Sequence, residues 1–327
     1  MDVLADLMRG VRAQGSLFGS QTLTAPWRLE FIDGAPLTLC TVLTGGGWIV
    51  PENGAPEQLR ARETLIVRGP GTFSFVDALD TDAESVACGE FCATPEQGGA
   101  RYRNGWSDEQ PASDDQTTLI VGAYSAQGEL SRPLLEALPV VLRCTESPSS
   151  SGGTAAVVES LAAEVAIDAP GQQVVLDRLL DWMLVCTLRE WFDDPGNQPP
   201  AWWSAQRDPV IGRALRLLHA DPAAPWTVAL LAEQTGVSRA TLAKRFNELV
   251  GEPPLTYLTN WRMTLAADLL ASSATSTVAD VARKVGYSDP FGFSAAFKRV
   301  RGSNPSDFRR VGRTSAAGAS AARPPGR

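Results

Sequence analysis

The 327-residue sequence predicts an α+β protein: an N-terminal antiparallel β barrel, a helical connecting segment and an all-α C-terminal module. Three observations carry this reading. From Ala25 to about Arg143 the chain is a series of short apolar runs, WRLEF, LTLCTVL, GWIV, ETLIVRGPGTFSFV and TTLIVGAY, punctuated by Gly and Pro. That texture means closely spaced strands with tight turns, and it suits a small barrel or jelly roll. From Ala155 onward apolar residues recur every three to four positions instead, which is the helical period. Near the C-terminus a segment is written twice: Thr227-Val228, Ala232, Gly236 and Ser238 return fifty positions later as Thr277-Val278, Ala282, Gly286 and Ser288.

Taken in order, residues 1–20 read as a helix, with Val3, Leu4, Leu7, Met8 and Val11 at helical spacing and Gly15 as its end. Within the strand region, the stretch 94–116 is polar and poor in aliphatics, which marks a long insertion where contact with a ligand or modifier is easiest. SPSSSGGT at 147–154 is a linker by composition. Two helices follow, 155–167 and 173–192; the second carries Val175, Leu176, Leu179, Leu180, Met183, Leu184 and Leu188 in a stripe broad enough for two neighbours. That stripe suits burial on the β domain, a dimer interface, or both. After a break at 193–200, residues 208–220 form a helix with Ile211, Leu215, Leu217 and Leu218. A longer one, 254–271 with Leu258, Trp261, Leu265 and Leu269, connects the two repeats. The tail after Val311 lacks apolar periodicity and is expected to be disordered. The expected domains are a β sensor at 1–146, a helical linker and dimerisation segment at 154–200, the repeat module at 206–312 and the tail at 313–327.

Each repeat has the makings of a helix-turn-helix unit. The Ala lets a second helix cross closely, the Gly supplies positive φ at the turn, and the Ser opens the second helix as its N-cap. Both then run to an inward aromatic, Phe246 and Phe297. Two such units about one duplex turn apart would place two helices in successive major grooves, so double-stranded DNA is the expected partner. The candidate readers on the first unit are Ser238, Arg239, Ala240, Thr241, Ala243, Lys244 and Arg245. Arg239 suits a guanine edge and the alanines suit thymine methyls. The second unit offers Ser288, Pro290, Phe291, Ser294, Ala295, Lys298 and Arg299, with Arg301, Arg309 and Arg310 flanking. Polar readers are few there, so phosphate contacts and thymine or shape readout are expected of it.

Charge placement agrees. The whole chain carries −8, yet residues 1–200 hold 12 Lys+Arg against 28 Asp+Glu while residues 226–312 hold 11 against 7. An acidic body leaves the basic module as the surface that meets phosphate. No run of eighteen apolar residues and no secretory leader is seen, so a cytoplasmic protein with no membrane partner is expected. The five cysteines, an odd number, are then read as reduced thiols.

The C-terminal hundred residues, Ile211 to Arg310, resemble the AraC/XylS family of bacterial transcription regulators. VADVARKVGYSDPFGFSAAFKRVRGSNPSDFRR follows the family's second-unit pattern, including Gly286-Tyr287, Phe293, Phe297-Lys298, Gly302, Pro305 and Phe308-Arg309-Arg310. DVLADLMRGVRAQGSLF, APWRLEF, RPLLEALPVVL and DPVIGRALRLLHADPAAPWTV are similar to the subgroup with an N-terminal cupin-type domain. The resemblance implies a small-molecule or stress sensor fused to a DNA reader, with RNA polymerase as a further partner if the protein activates. Metal-dependent cupins offer two or three His inside the barrel, whereas this chain has a single His, His219, and GTFSF stands where a His is expected after RGPG. A His-based metal site cannot be assembled, no cofactor is expected, and the barrel is expected to bind rather than catalyse. His219 is expected in a surface or packing role.

Alternation and aromatic content suggest Trp48, Phe73, Phe75 and Tyr124 as the lining of a ligand site. A second reading is a thiol or zinc sensor built on Cys88 and Cys92 in CGEFC, completed by Cys40 or Cys144. Nearby Asp80, Asp82, Glu84 and Glu90 would raise the thiol pKa and weigh against a fast switch. Cys186 reads as core. A third reading, a DNA-repair enzyme targeted by such a module, needs a Pro-Cys-His-Arg site, and no Cys here precedes His.

Overall fold

A computed structural model of the chain describes residues 2–13, 21–32, 34–87, 116–126, 128–144, 153–165, 167, 169–272 and 275–310. Cys88, Cys92, most of the polar insertion at 94–116, most of the linker at 147–154 and the tail lie outside these residues. The chain divides into two compact units. One gathers Val11–Ala126 and Leu135–Gln198; the other gathers Met1–Gly10, Gln127–Leu134 and Pro199–Arg327. Two pieces of the sequence expected in the sensor, 1–10 and 127–134, thus group with the C-terminal module. Among the described residues no helix is long and apolar enough to cross a membrane.

The first helix, α1, is short (Val3–Leu7), and the chain then turns into a strand, β1 (Val11–Ala13). The expected helix over 1–20 is corrected here. Val11 is buried and pairs with Ala126 on a neighbouring strand, so sheet pairing overrides the helical spacing that included it. The remaining strands are β2 (Gln21–Thr24), β3 (Arg28–Phe31), β4 (Leu37–Thr44), β5 (Gly46–Pro51), β6 (Glu57–Arg60), β7 (Thr64–Arg68), β8 (Phe73–Val76), β9 (Ser85–Ala87), β10 (Gln116–Ala126) and, after helix α2 (Arg132–Ala137), β11 (Val141–Cys144). They form two sheets, ordered β1-β10-β4-β7-β11 with β2 also on β10, and β6-β5-β8-β3-β9. All pairs are antiparallel except β3 with β9.

Period-two alternation aims one side of each strand into the space between the sheets. Trp27, Leu29, Phe31, Cys40, Val42, Ile49, Leu65, Phe73, Phe75, Leu119 and Val121 meet there in one apolar core. The larger sheet is covered on its other face by α3 (Gly153–Val165) and α4 (Gln172–Asp193), which is why nearly all of β4 is buried rather than every second residue. Gly122 on β10 makes room for α4: a Cβ there would lie 2.9 Å from Leu180. Tyr124 donates its hydroxyl to the Leu180 carbonyl at 2.8 Å. The broad stripe of α4 is therefore buried between the sheet and α3, with Leu176, Leu180, Met183, Leu184 and Leu188 inward.

In the other unit α5 (Ala201–Ala205), α6 (Ile211–Ala220), α7 (Val228–Thr235), α8 (Arg239–Val250), α9 (Pro254–Ser272), α10 (Val278–Lys284) and α11 (Pro290–Arg301) run in order. Helix α1 packs on α6. His219 on α6, the single His of the chain, is buried, with Nδ1 2.7 Å from Asp6 and Nε2 2.8 Å from the Tyr257 hydroxyl. Its ring also lies against Trp261, with centroids 4.5 Å apart. This is a packing role, and the hydrogen bonds supply what a buried imidazole requires.

Candidate nucleic-acid interface

The first helix-turn-helix is α7 and α8. Thr227 caps α7 by accepting from the Leu230 amide, and Gly236 ends it at φ +74°, a left-handed conformation that glycine adopts without strain. Ala232 is buried where the helices cross. Ser238 caps α8, accepting from the Thr241 amide at 3.1 Å. Leu242 and Phe246 face fully inward, and Phe246 meets Tyr257 edge-on. That rotation leaves Ser238, Arg239, Ala240, Thr241, Lys244 and Arg245 exposed and Ala243 half-buried, all on the side away from the core.

Arg245 is differently placed from its neighbours, because Asp208 holds it at 2.5 Å. Burial pushes the Asp208 carboxyl up, but hydrogen bonds from the Ile211 and Val210 amides and from Arg245 outweigh this and keep it below the ordinary carboxylate range. Asp208 thus caps α6 and anchors α8. Arg239 has no carboxylate partner among the described residues.

The second unit, α10 and α11, repeats the plan with one change. Thr277 and Asp280 form a reciprocal capping box, and Gly286 makes the turn at φ +85°. Helix α11, however, is capped by Asp289, whose carboxylate accepts from the Phe291 and Gly292 amides at 3.0 and 2.7 Å. The expectation that Ser288 opens this helix is corrected: Pro290 has no N–H and suits the first helical position, so the cap falls on the residue before it. Phe293 and Phe297 are fully buried, and Phe297 packs edge-on against Phe308. Ser288, Pro290, Phe291, Ala295, Lys298 and Arg299 are exposed and Ser294 half-buried. Arg301, expected to flank the site, is turned away: it is only 13% exposed and pairs with Glu129 at 3.0 Å.

Arg262, which sequence reasoning missed, joins the two units. It projects from α9 and donates from Nε to the Pro222 carbonyl at 2.6 Å and from Nη2 to the Ala224 carbonyl at 2.8 Å. The same guanidinium lies 5.8 Å from the centroid of the Tyr287 ring. Gly286 allows the approach, since a Cβ there would stand 2.5 Å from the Ala223 carbonyl oxygen and 2.9 Å from Arg262. Its signal in the sequence was a lone cation between the apolar Trp261 and Met263. The 19 residues of α9 also act as a spacer about 28 Å long.

In the β unit, Phe73 and Phe75 lie in the core, Phe73 stacked on Phe31 at 4.3 Å and Phe75 against Trp27 at 4.9 Å. Trp48 and Tyr124 do not join them. Ile49, next to Trp48, is the inward residue, and Tyr124 faces α4. The interior is therefore filled by side chains. A recess lined by Phe31, Ala35, Thr38, Val67 and Phe73 holds about 10 Å³, room for roughly one water. Cys40 and Cys144 pair with consecutive β7 residues, Leu65 and Thr64, and so face opposite sides of one sheet. Burial pushes each thiol up to about 12, which keeps both protonated and inert. Neither is placed to complete a site with the other, and among the described residues no cluster of His, Cys, Asp or Glu could hold a metal.

A capped, two-unit helix-turn-helix module and a two-sheet β domain in one chain define a class, a DNA-binding transcription regulator with a cupin domain. Comparison with known proteins gives the same result. The cupin family model matches residues 2–193 and a helix-turn-helix domain model matches 231–311. An AraC-like transcription regulator of Streptomyces lividans is 30% identical over 95% of this chain and 98% of its own length. One from Streptomyces antibioticus is 29% identical over 95% and 99%, and the regulator AlkR of Acinetobacter baylyi is 26% identical over 94% and 99%. Among solved structures, the DNA-binding domain of AdpA in complex with a target DNA is 30% identical over 33% of this chain and 96% of that one, at a TM-score of 0.31. The chain belongs to the AraC-like family of transcription regulators that carry an N-terminal cupin domain.

Proposed function

We propose that this regulator reads a specific operator with α8 and α11, and that α8 supplies most of the hydrogen-bonded discrimination. The observation that carries the reading is the exposed face of α8: Arg239, Thr241 and Lys244 stand in solvent on a helix whose other face is fixed by Leu242 and Phe246. Arg239 is the reader of a guanine edge, Lys244 meets phosphate, and Ala240 and Ala243 allow close approach. Arg245, tied to Asp208, positions the helix. The test uses duplexes that the full chain selects from a random pool. Arg239→Ala should weaken the selected sequence relative to random DNA by about 1–3 kcal/mol. Equal loss on both would make Arg239 a phosphate contact.

The cupin domain is proposed as the receptor for a small-molecule effector. Because its interior is packed, the effector would enter at the recess beside Phe31, Thr38 and Phe73 rather than fill a ready cavity. Gly71 also lines this recess, and a Cβ there meets nothing within 4 Å. A compound that raises Tm of the wild type should fail to do so in Gly71→Trp. Retained stabilisation would place its site elsewhere.

The proposed dimer uses the part of α4 that the sheet does not cover, where Val174, Val175 and Trp182 are 63%, 43% and 47% exposed. Trp182→Glu should convert a dimer to a monomer in sedimentation, and unchanged mass would exclude that face. Contact with RNA polymerase belongs to the same proposal, if the regulator activates.

A further inference from the structure

Resting on the reading of the module as a DNA reader, we propose that the tip of α11 recognises the C5-methyl group of a pyrimidine in the major groove, with Phe291 as the contacting side chain. Phe291 is 86% exposed, more than any other large apolar side chain described, and it sits in the first turn of a helix whose opposite face is packed. Pro290 and Ala295 lie exposed beside it.

What surrounds the ring narrows the ligand. A helix N-terminus ordinarily attracts phosphate through its free amides. Here the Asp289 carboxylate occupies the Phe291 and Gly292 amides and adds a negative charge that repels phosphate. Ser294, the hydroxyl nearest the ring along the helix, donates its proton to the Pro290 carbonyl at 2.8 Å and has none left for a base acceptor. Of the cations exposed on these helices, Arg283 is held by Asp280, Lys284 closes α10 before the turn, and Lys298 and Arg299 lie about two turns along α11 from the tip, where a phosphate beside a groove would pass. The tip thus rejects phosphate and offers an apolar surface. The apolar group that a duplex presents in the major groove is the C5 methyl of thymine. A methylated cytosine carries the same group.

The test again uses the full chain and duplexes it selects from a random pool. Thymines in the half-site are replaced one at a time by uracil, which removes only the methyl. At one or two positions the wild type should lose about fourfold in affinity, the factor that burial of one methyl-sized group corresponds to. At those positions cytosine should bind weakly and 5-methylcytosine should recover part of the loss, which separates the methyl from the rest of the thymine edge. Phe291→Ala should bind thymine and uracil duplexes equally, with an unchanged Tm because the ring stands in solvent. Equal binding of both duplexes by the wild type overturns the inference while leaving the DNA reading intact. So does an alanine variant that keeps the full thymine preference, which would show that another group reads the methyl. Failure of the chain to enrich any duplex with salt-sensitive affinity would overturn the DNA reading, and this inference with it.

Discussion

Replacing Arg262 by Met tests whether the two helix-turn-helix units are held in register by one side chain. Met keeps most of the aliphatic stem and removes the guanidinium, so the loss reports on its two hydrogen bonds to the Pro222 and Ala224 carbonyls and its contact with Tyr287. A hydrogen bond from a charged donor contributes about 1.5–3 kcal/mol. The site is half-buried, so water recovers part of both bonds and about 2 kcal/mol remains, to which the ring contact adds roughly 0.5 kcal/mol. A destabilisation of about 2–3 kcal/mol is therefore expected, read as faster amide exchange in the loop at 222–226 and the turn at 284–287. Duplexes with both half-sites should lose affinity, whereas duplexes with a single half-site should bind as they do to the wild type. Arg262→Lys should restore little, because a single ammonium nitrogen cannot reproduce the rigid, planar spacing of the Nε and Nη2 donors. A loss under about 0.5 kcal/mol together with unchanged binding to paired half-sites would refute the reasoning.

Three further outcomes are expected. Phe297→Ala removes a fully buried ring packed on Phe293 and Phe308 and should cost about 3–5 kcal/mol, melting the second unit while amides of α7 and α8 stay protected in hydrogen exchange. Thr277 and Arg283 hold the Asp280 carboxyl down from 3.8 to about 2, so its stabilising effect is fully present above about pH 4 and is lost as pH falls toward 2. Asp280→Asn should remove that part of the acid dependence, and an unchanged acid limb would count against the capping box. Asp6→Ala leaves the Nδ1 of buried His219 without a partner and should cost about 1–3 kcal/mol, measurable by urea denaturation.

The two helix-turn-helix units could be recognised because their determinants are local: Gly236 and Gly286 at positive φ, Ala232 and Ala282 at the crossings, Phe246 and Phe297 beneath. The N-cap at Asp289 was also local, and Pro290 was the sign of it. Less could be read where a partner is distant in sequence. Arg245 and Arg301 look alike as basic residues on α8 and α11, but Asp208 engages the first and Glu129 the second, and nothing in the helical period reports a carboxylate 37 or 172 positions away. The strand texture predicted the β unit but not its phase. β5 enters through Gly45-Gly46-Gly47, which have no side chains to mark a face, so alternation points to Trp48 although Ile49 is the inward residue. Val11 failed for the opposite reason, since its helical spacing was real and the β10 edge outweighed it.

The seating of α1 on α6 has a consequence for synthesis. Asp6 leaves the ribosome well before His219, which lies 213 positions behind it. At ordinary elongation rates α1 waits on the order of ten seconds or more before its seat exists. Val3, Leu4 and Leu7 spend that interval uncovered. The helix-turn-helix module is thus finished only after translation has passed the cupin domain, and a nascent chain halted between Asp6 and His219 presents α1 without its seat.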